Sequence, residues 1–276
     1  GDEVIIPTPY WVSYSELVKM VGAVPVLVET TKASKFLVTA NQLRQACTPK
    51  TKLLMLNSPS NPTGSAYSDD QLSAIADVAV DKDFIVMSDE IYERLIYTST
   101  PFVAFASLGT EVFDRTLTIN GVSKTFAMTG WRCGWLIADP ELVAKMGPLK
   151  EGLTSCVAPF VQLAGVAALR DGAEFTSQLT STFQERRDAV VAAVDATEGL
   201  HLAKPEGAFY AFIDIRGTGL AAEDFAHRLL DQERVCLVPG TAFGELGAGH
   251  VRLSFATSVD TIQLGFDRIA RFISTI

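Results

Sequence analysis

Ser88-Asp89-Glu90-Ile91-Tyr92 follows the apolar run Phe84–Met87, so a carboxylate and, three residues later, a phenol arrive together at the end of a strand-like segment. Such a pair can flank one ring, the acid holding a pyridinium proton while the phenol bonds a neighbouring oxyanion. Taken alone, Asp89 is equally well an N-cap. Asn57-Ser58-Pro59-Ser60-Asn61-Pro62-Thr63-Gly64 stands in the same relation to Leu53–Leu56. As an isolated stretch it is a proline-stiffened turn. Beyond the carboxyl end of a strand, where α/β sheets bind ligands, an Asn amide can hydrogen-bond a ligand oxygen.

The segment Asn120–Arg132 carries the strongest signal. Lys124 sits after a strand-like run among small and apolar residues, and Arg132 follows eight positions later. That neighbourhood disfavours the ammonium form and leaves the amine available, which suits a Schiff-base lysine. Arg132 offers a fork of donors for a phosphate, with Ser123 as a hydroxyl partner. In His250–Phe255, period-two alternation puts Val251, Leu253 and Phe255 on one face and Arg252 with Ser254 on the other. Arg252 is an ordinary solvated arginine if that face meets water. If the face turns toward the first part of the chain, it can grip a carboxylate bidentately. Asp, Tyr, Lys and Arg at successive sheet ends form a constellation that pyridoxal phosphate requires and few other cofactors do.

The elements that must position these residues alternate through the first half. Strands are expected at Val4–Ile6, Val24–Val28, Leu53–Leu56, Phe84–Met87, Thr116–Ile119 and Gly134–Ala138. Helices are expected at Tyr14–Val21, Ala40–Ala46 and Asp69–Asp81, the last opened by a Ser68/Gln71 capping box. This is the pattern of an α/β protein with a mostly parallel sheet and helices on both faces. Helical segments Phe160–Leu169 and Glu174–Ala196 follow. A smaller α+β unit closes the chain, with strands at Ala208–Ile213, Val235–Val238 and Val251–Phe255 and helices near Ala222–Leu230 and Val259–Ile273. The resulting division is a large cofactor-binding domain over 1–172, a connecting helix over 173–197 and a small domain over 198–276.

Composition narrows the function classes. The 276 residues are 48% hydrophobic and 20% charged, enough for one large or two moderate cores. No apolar run approaches the roughly 20 residues of a membrane-spanning helix. The net charge of −9 repels phosphate backbones, so neither nucleic acid nor a membrane is an expected partner. Four cysteines without C-x-x-C spacing and three scattered histidines leave no disulfide framework or metal site, and a reducing, cytoplasmic setting is expected.

The ordered motifs Pro7-Thr8-Pro9-Tyr10-Trp11-Val12-Ser13-Tyr14, Asn61–Gly64, Ser88–Tyr92, Ser123–Arg132 and Val251–Ser258 resemble those of the class I/II pyridoxal-phosphate aminotransferases, in the aspartate aminotransferase-like branch. The likeness runs over essentially the whole chain. It implies that Trp11 stacks on the cofactor ring and that Asn61 touches the phenolate oxygen and the substrate carboxylate. It likewise implies that Tyr92 bonds the phenolate oxygen and Asp89 the ring nitrogen. Lys124 is implied as the Schiff-base lysine that moves the substrate proton, Arg132 as the phosphate ligand and Arg252 as the α-carboxylate ligand. The implied activity is amino-group transfer between an L-amino acid, aspartate or a related one, and a 2-oxo acid, in a homodimer.

Three departures from the family pattern accompany this likeness. The chain opens directly on a strand and is expected to be cut. The family's N-terminal arm, phosphate loop and the aromatic residue lent across the dimer would all precede Gly1, so this piece alone is expected to hold cofactor weakly. Gly121 stands where many relatives carry a phosphate-binding serine. Thr154–Pro159, with Cys156-Val157, stands where relatives are richer in Ser, Thr and Asn. A carbon–sulfur lyase would use the same Asp89, Lys124 and Arg132. A non-catalytic split subunit or ligand sensor is a third reading, disfavoured by the intact Lys124. A nicotinamide dehydrogenase lacks its G-x-G-x-x-G.

Overall fold

The computed structural model describes all residues, Gly1–Ile276. Its strands are β1 (Glu3–Thr8), β2 (Val24–Glu29), β3 (Thr51–Asn57), β4 (Ile85–Asp89), β5 (Thr116–Gly121), β6 (Gly134–Ile137), β7 (His201–Leu202), β8 (Tyr210–Asp214), β9 (Val238–Pro239) and β10 (His250–Ser254). Its α-helices are α1 (Ser13–Met20), α2 (Ala40–Ala46), α3 (Asp69–Lys82), α4 (Thr110–Phe113), α5 (Val122–Thr125), α6 (Pro140–Thr154), α7 (Pro159–Asp171), α8 (Ala173–Asp195), α9 (Ala222–Glu233) and α10 (Val259–Ile273).

Six strands form one sheet in the order β2-β1-β3-β4-β5-β6, parallel except that β6 runs antiparallel to β5. Strand alternation divides its residues between two layers. Ile5, Leu54 and Leu56 pack with Leu43 of α2 and Leu72, Ile75 and Val78 of α3, while Val4, Ile6 and Met55 pack with Tyr14 and Val18 of α1. A sheet covered on both faces needs apolar side chains in both directions, which is why β3 reads Leu-Leu-Met-Leu without a polar break. Capping boxes at Thr39/Gln42 and Ser68/Gln71 start α2 and α3 where the chain leaves the turns. Each such cap contributes on the order of 1 kcal/mol.

The second sheet, β7-β8-β10-β9, is antiparallel. Ala211 and Ile213 of β8 and Val251 of β10 meet Val190 and Val194 of α8, Phe225 and Leu229 of α9, and Phe266 and Phe272 of α10 in a core of its own. The long α8, 23 residues, joins the two halves of the chain.

Two expectations are corrected. Residues Pro140–Thr154 form a helix that the sequence reading leaves out. Gly147, Pro148 and Gly152 break the local helical signal, yet Asp139 caps its first turn through the amides of Glu141 and Leu142, and Pro140 sits at the start where its missing N–H costs nothing. The strand expected at Val235–Val238 shrinks to Val238–Pro239, because only these residues lie opposite β10, at Arg252 and Val251. Leu237 instead joins the core of the second sheet.

Candidate active site

The chain turns from β1 to β2 on one side and then crosses to β3 on the other, so the sheet has a switch point between β1 and β3. Crevices beyond such points, at the carboxyl ends of parallel strands, are where α/β sheets take ligands. Trp11 follows β1, Asn61 lies in the turn after β3, Asp89 ends β4 with Tyr92 just beyond, and Ser123 and Lys124 follow β5 on α5. Arg132 comes from the turn before β6 and Arg252 from β10 of the other sheet. All eight line one cavity of about 590 Å³, together with Asn57 at the end of β3, Ile91, Ile119, Thr129 and Tyr210.

The acid corner is built first by the backbone. Parallel register sets Asn57 opposite Asp89, and the Asn57 amide donates to the Asp89 carbonyl oxygen at 3.0 Å. The Asn57 Oδ1 accepts from the Asn61 N–H at 2.8 Å, tying the Pro-rich turn to the strand end. The Asp89 carboxylate then accepts from the Ile91 N–H at 3.2 Å on Oδ1 and from the Tyr14 hydroxyl at 2.6 Å on Oδ2. Burial raises the Asp89 carboxyl above its usual range; these two donors, with the Lys124 charge, act against that rise.

Lys124 lies half-buried, its Nζ 5.6 Å from the Phe209 ring centre and 6.0 Å from that of Tyr92. Desolvation first, and then the charges of Arg132 and Arg252, hold its amine below the usual lysine range, while Asp89 pulls upward. Tyr92 is buried and shares a 3.1 Å hydrogen bond with Tyr210 Oη. Burial, followed by its Tyr210 neighbour, raises the Tyr92 phenol well above its ordinary value, so it stays protonated and able to donate.

Arg252 faces the first sheet. Its Nη1 donates to Asn61 Oδ1 at 2.9 Å, and its guanidinium lies 4.6 Å from the Tyr210 ring centre and 4.7 Å from that of Phe243. Its buried Nε has no hydrogen-bond partner. Arg132, exposed, donates through Nη1 to the Thr129 carbonyl at 2.9 Å and lines the same cavity as Ser123. One cavity thus holds two guanidinium groups, a half-buried amine and a half-buried carboxylate. This set of charged groups accompanies a match of residues 1–269 to the model of aminotransferase class I and II.

The chain belongs to the class I and II aminotransferases. As a member it is a transaminase that works with pyridoxal 5'-phosphate. It is 41% identical to the aspartate aminotransferase of Geobacillus stearothermophilus, over 99% of this chain and 70% of that protein. It is 40% identical to an asparagine–oxo-acid transaminase of Streptococcus mutans, over 98% of this chain and 70% of that protein. The crystal structure of the aromatic aminotransferase from Pyrococcus horikoshii superposes with a TM-score of 0.96 at 39% identity, covering 100% of this chain and 73% of that one. No helix of this aminotransferase is long and apolar enough to cross a membrane.

Asn57, Tyr14 and Tyr210 are cavity or support residues that the sequence reading does not single out. Asn57 was accessible to it, since it occupies the same strand-end position in β3 that Asp89 occupies in β4. Tyr210 was not, because nothing local shows which face of β8 meets the other half of the chain. Gly121 has a steric cause: a Cβ there would lie 2.8 Å from the Cys133 carbonyl oxygen and 3.1 Å from the Gly134 Cα, leaving no space for a serine.

Proposed function

We propose that this aminotransferase moves an amino group between an L-amino acid, aspartate or a close relative of it, and a 2-oxo acid, with Lys124, Asp89, Tyr92, Arg132 and Arg252 at the centre of its chemistry. The observation that carries the reading is that two arginines, Arg132 and Arg252, line the same cavity as Lys124 and Asp89. A phosphate and a carboxylate held in one cavity call for two such sets of donors.

The donor set fits pyridoxal 5'-phosphate. Arg132, Ser123 and Thr129 would hold its phosphate, Asp89 its ring nitrogen, Tyr92 and Asn61 its phenolate oxygen, and Trp11, 40% exposed at the cavity wall, its ring face. When bound, the cofactor supplies an aldehyde that condenses with amines and a ring that withdraws electrons from the substrate Cα. Asp89 must be ionised to hold a pyridinium, and the Tyr14 and Ile91 donors favour that form. Lys124 is the sole lysine in the cavity, and its amine is the base that takes the proton from Cα and returns it nearby. Arg252 grips the substrate α-carboxylate, its orientation preset by Asn61 and by the Tyr210 and Phe243 rings. The second sheet supplies this arginine, so a substrate bound there bridges both halves of the chain.

The names of the relatives favour aspartate, with asparagine and aromatic amino acids as neighbouring choices. A homodimer is the assembly we infer, supported by the exposed apolar side chains Leu149, Leu153, Phe160 and Leu163 on α6 and α7. Four free cysteines support a reducing, cytoplasmic setting. Turnover of aspartate, asparagine and phenylalanine with 2-oxoglutarate, followed by glutamate formation, tests the assignment. The expected result is 2-oxo-acid-dependent glutamate production that is fastest with aspartate. Release of ammonia and a 2-oxo acid from a sulfur amino acid, without any acceptor, would overturn it in favour of a lyase.

A further inference from the structure

Tyr14 holds neither cofactor nor substrate in this site, although its hydroxyl makes the shortest contact to the Asp89 carboxylate, 2.6 Å to Oδ2. It is 3% exposed, and its ring packs with Val4, Ile6, Val18 and Met55 between the sheet and α1. It also lies one helical turn from Trp11: the Tyr14 N–H donates to the Trp11 carbonyl at 2.9 Å, and the two rings meet edge to face at 5.5 Å. One side chain therefore joins the residue at the ring face to the residue at the ring nitrogen.

We propose that Tyr14 is a positioning residue that keeps the Asp89 carboxylate ionised and correctly aimed at the cofactor ring nitrogen while bracing Trp11. The proposal rests on the reading of Asp89 as the ring-nitrogen partner. Burial pushes the Asp89 carboxyl toward its neutral form, and a neutral acid would leave the ring nitrogen without its proton. Tyr14 and the Ile91 N–H each occupy one carboxylate oxygen and oppose this, and of the two only Tyr14 is a side chain that a substitution can remove. The Tyr14 phenol is itself held well above its ordinary range, by burial first and then by the Asp89 charge, so it remains a donor throughout the working pH range. The Asn57 amide fixes the backbone of Asp89 but does not touch the carboxylate.

Tyr14→Phe keeps the packed ring and removes only the donor. In the protein loaded with pyridoxal 5'-phosphate carrying ¹⁵N in its ring, the nitrogen resonance should move toward the unprotonated position at fixed pH. The value of kcat should fall roughly tenfold or more, the loss expected for one charge-assisted hydrogen bond, with KM little changed. In an Asp89→Asn background the same substitution should alter neither quantity. A wild-type resonance and kcat in Tyr14→Phe would overturn the proposal, including where only the melting temperature drops. If Tyr14→Phe does not fold, the Tyr14 hydroxyl proton of the loaded protein serves instead. It should resonate downfield and move upfield in Asp89→Asn, and an unchanged position would overturn the proposal. If Asp89→Asn leaves the ring ¹⁵N resonance at the wild-type position, the assignment of Asp89 itself fails, an outcome distinct from failure of Tyr14 alone.

Discussion

Arg252 of β10 donates through Nη1 to Asn61 Oδ1, 2.9 Å away, across 191 positions of sequence. The contact joins the antiparallel sheet to the turn beyond β3 and uses one arm of the guanidinium. The Nε is buried without a partner, so a carboxylate that reaches it would satisfy a donor whose desolvation is already complete.

Arg252→Gln should therefore weaken amino-acid and 2-oxo-acid binding roughly ten- to a hundredfold, the loss of about 1.5–3 kcal/mol for hydrogen bonds to a charged group. Arg252→Lys should recover only part of it, because an ammonium lacks the planar fork. Steady-state KM for both substrates, beside cofactor affinity from fluorescence quenching, checks this. Cofactor affinity should stay close to wild type.

Borohydride reduction of the cofactor-loaded protein, followed by peptide mapping, should place the pyridoxyl group on Lys124. The exposed lysines Lys145 and Lys150 of α6 lie outside the cavity and should stay unlabelled. Lys124→Ala should abolish turnover, since no other lysine lines the site.

Lys124 is held below the usual lysine range by burial, then by Arg132 and Arg252. A lowered value means that the amine loses its proton at a lower pH than a free lysine. Condensation of the apo-protein with the cofactor aldehyde should then speed up as pH rises, with a midpoint below that of free lysine. Removing one cationic neighbour reverses part of the effect, so Arg252→Met should move the midpoint upward. Initial rates of absorbance change across a pH series measure it, and a downward movement would contradict the stated cause.

Gly121 and Gly134 face each other in the β5–β6 register, and Lys124 follows on the next turn of chain. Gly121→Ala sets a methyl carbon 2.8 Å from the Cys133 carbonyl oxygen and 3.1 Å from the Gly134 Cα, both backbone atoms that cannot swing aside. Overpacking of this kind costs about 1–3 kcal/mol, and thermal denaturation should report a melting temperature lower by several degrees.

Much of the site is legible from local pattern. Asp89, Tyr92, Asn61, Ser123 and Lys124 each follow a strand that its apolar run announces, and in a parallel sheet successive strand ends lie side by side. Once β3, β4 and β5 are adjacent, the residues after them share one crevice. Helices with strong periodicity or caps, such as Ala40–Ala46 and Val259–Ile273, have the boundaries that their residues indicate. Where glycine and proline interrupt the pattern, as in Pro140–Thr154, a helix that packing and an Asp139 cap sustain leaves little local trace.

Only the tertiary structure decided the direction of Arg252 and the partners of Asp89. Alternation along β10 shows that Arg252 and Val251 point to opposite sides, but not which side meets the first sheet; the docking of the two sheets turns Arg252 onto Asn61 and Tyr210. Likewise the motif containing Tyr14 is visible in sequence, whereas its bond to Asp89 spans 75 positions and depends on α1 lying against the face of β1 and β3. A residue's own neighbours in sequence determine its element and its side of that element. Which distant side chain it meets depends on how the layers pack, and in this chain that packing brings Tyr14 to the Asp89 carboxylate and Arg252 to Asn61.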